Sequence, residues 1–356
     1  MTHKLNNGYF DGAMAHICDI QNNQGAIAWF ENGVIDPWNH LEAVMGLNLC
    51  GAQEQADVGF RFLQDTQLPD GSWWGQLGSA VPIDETLQNF STDSMATGQK
   101  IRETNFTAYI ATAIWHDYLL HSDIERTRSH WPMVEAALDF VIRHQTIYGD
   151  IIWLAGNTLD NPYEFDTEKM AKTDSLLTGN SSIYKSLVCG LKLAEILSID
   201  KPAWETARQK LQTALTQNPE RFNRNMDATQ FSMDWYYPAL SGALPLAQAR
   251  DRIDAFWDIF VVEGLGCKCV AHETWVTMAE TAELAITLKA IGLDEKASQV
   301  LSWLDQHRDE KGAYWIGYEY EAQVFWPIEK PPWTAGAVIL ATDAVEALSP
   351  AHRLFL

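Results

Sequence analysis

The chain is short of positive charge, of long apolar runs and of the usual cofactor signatures. It carries 25 Lys and Arg against 47 Asp and Glu, a formal charge of −22 over 356 residues. Nucleic acid and anionic membrane surfaces would be repelled, and a polyanionic glycan is a poor substrate for the same reason. No run approaches the eighteen or so apolar residues that a membrane span needs, and Met1–Phe10 has no apolar leader core. These features predict a cytoplasmic protein without membrane insertion. The 5 cysteines are an odd number and scattered, apart from Cys267-Lys-Cys269, which argues for reduced thiols rather than a disulfide framework. No Gly-rich phosphate loop, nucleophile elbow or basic stripe occurs. Cys267-Lys-Cys269 with His272 lacks a fourth ligand at zinc spacing, and His272-Glu273 has no second His four residues on. No metal or other cofactor is expected.

What the chain does have is a repeat. Phe62-Leu63 is followed at fixed spacing by Gln67, Gly71 and Trp73. Phe140-Val141 leads in the same way to Gln145, Gly149 and Trp153; His16-Ile17 to Gln21, Gly25 and Trp29; Trp303-Leu304 to Arg308, Gly312 and Trp315. A bulky pair closing a helix, a glycine at the turn and a Trp over the joint mark stacked copies of one supersecondary unit.

Helical segments alternate between amphipathic ones, such as Trp204–Leu215, and segments apolar or small on nearly every side, such as Ala108–Trp115 and Ala335–Ala341. A single apolar stripe places a helix at the surface; apolar residues all round place it inside. The outer set is predicted at 7–20, 53–66, 129–146, 202–218, 249–263 and 294–308. The inner set is predicted at 38–50, 104–121, 181–198, 234–245, 275–291 and 333–348. Six such hairpins close an all-α (α/α)6 barrel, read here as one domain over 1–356. Outer-to-inner connections are long, notably 67–103 and 146–180, and long loops in compact domains are usually functional.

The inner helices should therefore begin around one mouth. Six clusters stand at those starts: Asp36-Pro-Trp-Asn-His40, Arg102-Glu-Thr-Asn105, Thr178-Gly-Asn-Ser-Ser182, Met233-Asp-Trp-Tyr-Tyr237, His272-Glu-Thr-Trp275 and Pro331-Pro-Trp-Thr334. Indoles beside carboxylates suit a sugar ring, with its apolar faces and hydroxyl edges; they also suit a carbocation, drawn to aromatic faces. Glu103 and Asp234 are the predicted catalytic pair, with Asp36 and Glu280 as substitutes. Trp38, Trp235, Tyr236, Trp275 and Trp333 are predicted stacking walls, and His40, Arg102, Asn105 and Glu273 hydroxyl ligands. The plainer alternative is structural: Asp36, Thr104, Asn180 and Asp234 are good N-cap types, and His40 and His272 suit scaffolding. Glu280 and Glu283 share a face of an apolar helix, where desolvation could create a general acid or a buried pairing could consume them.

The Phe62-Leu63…Gln67…Gly71-Ser-Trp73 pattern resembles the QW motif of squalene cyclases and related prenyltransferase-type α/α toroids, in which it braces helices and does no chemistry. The acid and diphosphate motifs of those enzymes are missing; Asp84-Glu85, the nearest acidic pair, stands alone. His121-Ser-Asp123…His130–Phe140 and Trp326–Gly336 resemble stretches of six-hairpin glycosidases of the glucoamylase and rhamnosidase type. That second resemblance implies a glycoside hydrolase with two carboxylates in a Trp-lined pocket and a small-molecule or oligosaccharide substrate. A terpenoid cyclase or prenyltransferase-like enzyme is the alternative, and a non-catalytic binding toroid the third reading.

Overall fold

The computed structural model describes residues 5, 8–31, 33–77, 90–92, 95–97, 102–155 and 174–356. Asp84-Glu85 and most of the long connections 78–101 and 156–173 lie outside the described residues. Among the described residues there are twelve α-helices, alternating as the hydropathy pattern predicts. They are α1 (Asp11–Ile20), α2 (Pro37–Leu49), α3 (Gln53–Thr66), α4 (Thr104–His121), α5 (Ile124–Arg143) and α6 (Leu177–Ile196), then α7 (Pro202–Gln217), α8 (Ser232–Leu240), α9 (Leu246–Phe260), α10 (Met278–Ala290), α11 (Asp294–Ser302) and α12 (Pro332–Glu346). The division of labour is visible in burial. Helix α4 is buried without interruption from Thr107 to Asp117. Helix α7 buries only Trp204, Ala207, Leu211, Ala214 and Leu215, one stripe at helical spacing.

By contacts the chain forms two compact units. One comprises Met1–Glu31, Asn39–Phe60 and Ala228–Leu356; the other comprises Asn32–Trp38 and Arg61–Asp227. In the first unit the inner helices run α8, α10, α12 and then back to α2. The last inner helix lies on the first because both are notched. A Cβ on Gly46 would sit 2.9 Å from the Gly336 Cα, and one on Gly336 would sit 2.5 Å from the Glu42 carbonyl oxygen. In the second unit α4 packs on α6, backed by α5 and α7.

The repeat is a bracket between neighbouring outer helices. The Gln67 amide donates to the carbonyl of Gly71 in its own turn and to that of Met133 in the next outer helix. Gln145 does the same for Gly149 and Ala207, and Gln21 for Gly25 and Gln55. Arg308, the variant copy, donates instead to the Tyr9 carbonyl. The turn glycine has two reasons to be glycine. At Gly71 φ is +96°, and a Cβ would stand 2.1 Å from the Ala136 carbonyl oxygen.

Short strands make the departure from an all-helical reading. β1 (Phe90–Thr92) and β2 (Met95–Thr97) form a hairpin; β3 (Arg102–Glu103) pairs antiparallel with β4 (Leu154–Ala155). In the first unit β5 (Val261–Val262), β6 (Gly266–Lys268), β7 (Trp275–Thr277), β8 (Gly317–Glu319) and β9 (Val324–Phe325) form an antiparallel meander. The helix predicted over 275–291 therefore begins at Met278. Residues 275–277 are strand because Trp275, Val276 and Thr277 pair with Glu319, Tyr318 and Gly317, and β-branched and aromatic side chains suit that pleat. No helix among the described residues is long and apolar enough to cross a membrane.

Candidate active site

In the second unit the β3–β4 pair delivers Glu103 to the N-terminal end of α4. The Thr104 N–H donates to the Trp153 carbonyl at 3.0 Å and its Oγ1 to the Ile152 carbonyl at 2.7 Å, which locks the start of the helix to β4. Glu103 is the N-cap residue but its side chain makes no cap bond. It accepts a hydrogen bond from the Trp153 indole, Nε1 to Oε2, at 2.7 Å. Its other oxygen, Oε1, has no donor among the described residues. Burial pushes this carboxyl up to about 7; the Trp153 bond opposes that and the Asp36 carboxylate adds to it. Asp36 is itself buried, immediately before α2. A carboxyl that still holds its proton near neutrality, with one oxygen lacking a donor among the described residues, has the properties of a general acid.

Its neighbours in sequence have other duties. Arg102 is buried and ion-paired to Asp70, with its guanidinium 5.5 Å from the centre of the Phe140 ring. That pair gives it a structural task in addition to the predicted one of binding hydroxyls. Trp38 is buried, stacked on Tyr109 at 4.7 Å and edge-on to Phe106, so it is core rather than a stacking wall. Asn105 is 5% exposed, and its Oδ1 has no hydrogen-bond partner among the described residues. Of the predicted caps, Asp36 stands at the cap position before α2, whereas Thr104 and Asn180 do not. Thr104 is the first helical residue, not the cap. Asn180 lies inside α6, where its amide clasps Ile151, accepting from its N–H at 2.7 Å and donating to its carbonyl at 2.8 Å.

The first unit holds a second carboxylate centre. Glu283 on α10 is buried and takes two tyrosine hydroxyls from α8, Tyr236 on Oε2 and Tyr237 on Oε1, the latter at 2.7 Å. Burial pushes its carboxyl up to about 7 against the pull of those two donors, with Glu280 nearby adding to the rise. Tyr236, predicted as a wall for substrate, is fully buried and committed to this bond. Trp235 is likewise buried, donating to the Arg252 carbonyl at 2.9 Å and stacked on Phe260 at 5.2 Å. Asp234 is buried at the third helical position of α8, and Arg252 donates to its carbonyl at 2.8 Å. Glu280, half-buried one turn before Glu283, lies near the Cys269 thiol, which burial holds protonated.

His40 is scaffolding. Its Nδ1 accepts from the Ile27 N–H at 3.1 Å, which leaves the proton on Nε2 to donate to the Gly59 carbonyl at 3.0 Å. Burial lowers its pKa to about 4, so the ring is neutral. Glu273 is exposed and lies 3.5 Å from His272. Trp333 and Trp29 meet edge to face at 5.5 Å, both half-buried. Trp275 lies over Gly317, where a Cβ would come 2.3 Å from its indole nitrogen, and donates to the Trp326 carbonyl at 2.5 Å. Of the predicted walls, Trp275 and Trp333 keep exposed ring surface. Among the described residues no group of three His, Cys, Asp or Glu could hold a metal ion. Sequence reasoning missed the Trp153–Glu103 bond and the Asp70–Arg102 pair. The repeat had marked Trp153 and Gly71, so the signal was present but was read as bracing alone.

No family model matches the chain. The structure is similar to that of a GH63 mannosylglycerate hydrolase from Thermus thermophilus in complex with glucose, with a TM-score of 0.67 over 92% of this chain and 98% of that one, at 12% identity. It is similar at TM-score 0.63 to a D-mannose isomerase, over 94% of this chain and 96% of that one, at 13% identity. Likeness at such identities fixes the fold, an (α/α)6 barrel, and one fold hosts both a hydrolase and an isomerase. Sequence is more specific. The chain is 39% identical over 339 residues to the MMP endo-(1,4)-3-O-methyl-alpha-D-mannosidase of Mycolicibacterium hassiacum, covering 95% of this chain and 86% of that protein. The terpenoid reading drawn from the QW-like repeat is thereby overturned, and the repeat is left as the bracket described above. With that identity along nearly its whole length, the chain belongs to the glycoside hydrolase family of this mannosidase.

Proposed function

We propose that the chain hydrolyses internal (1,4)-α-linkages of a neutral mannan carrying 3-O-methyl groups, with Glu103 as the proton donor and Asp36 as its ionised partner. The substrate class is taken from the M. hassiacum relative and agrees with the charge of −22, which disfavours an anionic glycan. The observation that carries the assignment is the environment of Glu103: one oxygen held by Trp153, the other without a donor among the described residues, and a carboxylate close enough to raise its proton affinity. Oε1 protonates the departing glycosidic oxygen as the bond to the anomeric carbon breaks. The negative field of Asp36 favours the oxocarbenium-like charge that develops on the ring; water then adds to the anomeric carbon, and its surplus proton passes to the carboxylates and restores the Glu103 acid. All five cysteines are free, which fits action in the cytoplasm.

The test is reducing-end release from (1,4)-linked 3-O-methyl-α-D-mannan, with unmethylated α-mannan and α-glucan as comparators. Internal cleavage shows as a spread of product lengths. Glu103→Gln is expected to lose about a thousandfold or more in kcat, and Asp36→Asn about a hundredfold. Asp234→Asn and Glu280→Gln, the other predicted carboxylates, belong in the same series. Full turnover in both Glu103→Gln and Asp36→Asn sinks the site; no wild-type release from any mannan sinks the substrate.

A further inference from the structure

We propose that Asp70 is a positioning residue for the reaction: through its ion pair with Arg102 it sets the facing of the β3 strand, and so the direction in which Glu103 presents its free oxygen. This inference rests on Glu103 being the proton donor. Successive side chains of a strand point to opposite faces. Arg102 and Glu103 are the two residues of β3, in register with Ala155 and Leu154. Whatever holds Arg102 on one face therefore holds Glu103 on the other.

What holds Arg102 is built for the purpose. Asp70 sits in the turn of the Phe62–Trp73 repeat, and its two carboxylate oxygens have separate tasks. Oδ1 accepts from the Ser72 N–H at 3.1 Å and the Ser72 hydroxyl at 2.6 Å, fixing the turn. Oδ2 takes the Arg102 guanidinium. The Asp70 carbonyl accepts from Arg143 at 2.9 Å, so a second cation ties the same turn to the end of α5. Both guanidiniums lie within 5.9 Å of the centre of the Phe140 ring, whose own helix ends in the next copy of the repeat. The pair is almost wholly buried, at 6% and 5% side-chain exposure. A buried cation losing a partner costs far more than the pair contributes, so Asp70 is a strong restraint on where Arg102 lies. Among the described residues the charged and titratable groups on this side are Asp70, Arg102, Arg143 and His144, and on the Glu103 side the facing group is Asp36.

The two single variants push in opposite directions. Asp70→Asn removes a negative charge beside Arg102 and favours the ionised form of Glu103; Arg102→Met removes the positive charge and favours the protonated form. Each is expected to lower kcat roughly tenfold to a hundredfold with KM within about threefold. The basic limb of the pH–rate profile moves down by roughly half a unit in Asp70→Asn and up by a similar amount in Arg102→Met. The double variant returns the limb to its wild-type position while kcat stays low, a pattern that general destabilisation would not produce. Arg102→Lys keeps the charge beside Asp70 and is expected to recover most of the lost kcat; it also serves if the other variants do not fold. Wild-type kcat and an unmoved limb in folded Asp70→Asn and Arg102→Met overturn the proposal, as does a fall in kcat in Arg102→Lys equal to that in Arg102→Met. If Glu103→Gln itself keeps full turnover, the reading of the acid fails first; if only Glu103→Gln is impaired, the positioning role alone fails.

Discussion

Glu103 and Glu283 are the same side chain under the same pressure, and they end in opposite conditions. Each has a carboxyl that burial pushes up to about 7. Glu283 has both oxygens occupied by tyrosine hydroxyls; Glu103 has one occupied by an indole and the other without a donor among the described residues. A raised proton affinity is common to structural and catalytic carboxyls, so it does not separate them. On the proposed reading the second oxygen does, because a general acid must hand its proton to something outside the protein.

The largest effect that could break this contrast comes from exchanging glutamine at the two positions. Glu103→Gln is expected to remove about three orders of magnitude or more from kcat, with little change in melting temperature. Glu283→Gln is expected to do the reverse. It should keep kcat within a few-fold at a permissive temperature and lower the unfolding free energy by about 2 kcal/mol, because a charge-assisted pair of buried bonds becomes a neutral one. Turnover assays and denaturant melts on the same preparations decide it. A catalytic collapse in Glu283→Gln with intact stability would remove the distinction.

How far the sequence carries this contrast depends on the range of the interactions. The helices are legible because their signals are local: the outer helix over 53–66 and the inner one over 104–121 are predicted at the bounds observed. The repeat is legible as spacing, and the Gln67 bracket shows why that spacing recurs. The strands are not, since two or three residues give no period to read and their pairing is made between loops. Glu103 is singled out in the sequence by its place at a helix start. Its distinction from Glu283 is not, because the deciding partners, Trp153 and the tyrosine pair, lie about fifty residues away in sequence. Tyr236 and Trp235 show the matching error: aromatic residues beside an acid at a helix start look like a binding wall, yet here they are core.

Removing one tyrosine hydroxyl makes Glu283 more like Glu103. Tyr237→Phe leaves Oε1 of a fully buried carboxylate without its donor, at a cost of roughly 1.5–3 kcal/mol for a bond to a charged group. Chemical denaturation should report that loss, while kcat at a temperature well below the transition stays near wild type. A loss no larger than an exposed substitution gives, about 0.5 kcal/mol, would mean that Glu283 is not relying on that hydroxyl.

The dependence of stability on pH sharpens the comparison further. The ordinary glutamate value is 4.5 and the folded value at Glu283 about 7. The folded state therefore keeps a proton that the unfolded chain has released, and this contribution is present below pH 4.5 and lost as pH rises through 7. Three buried histidines, His40, His116 and His144, lowered to about 4, act with the opposite sign as pH falls below 6.5. The useful measurement is thus a difference between wild type and Glu283→Gln. The variant lacks the titration, so its deficit should be larger near pH 4.5 than near pH 7, by about 3 kcal/mol or less. A deficit that is flat across that range would place the proton elsewhere.

The finest effect separates the single donor at Glu103 from the open oxygen beside it. The Trp153 indole favours the ionised carboxylate, so Trp153→Phe removes a restraint on the proton while keeping most of the ring. The carboxyl should then hold its proton to higher pH. The basic limb of the pH–rate profile is expected to rise by up to about one unit from its position near 7. At pH 7 the protonated fraction of the acid grows by less than twofold, and the looser side chain offsets that gain, so kcat falls less than tenfold. The diagnostic is the direction of the limb rather than the size of the rate change. A limb that moves down, or does not move, would mean that the group titrating in turnover is not the one bonded to Trp153, and the contrast with Glu283 would lose its catalytic half.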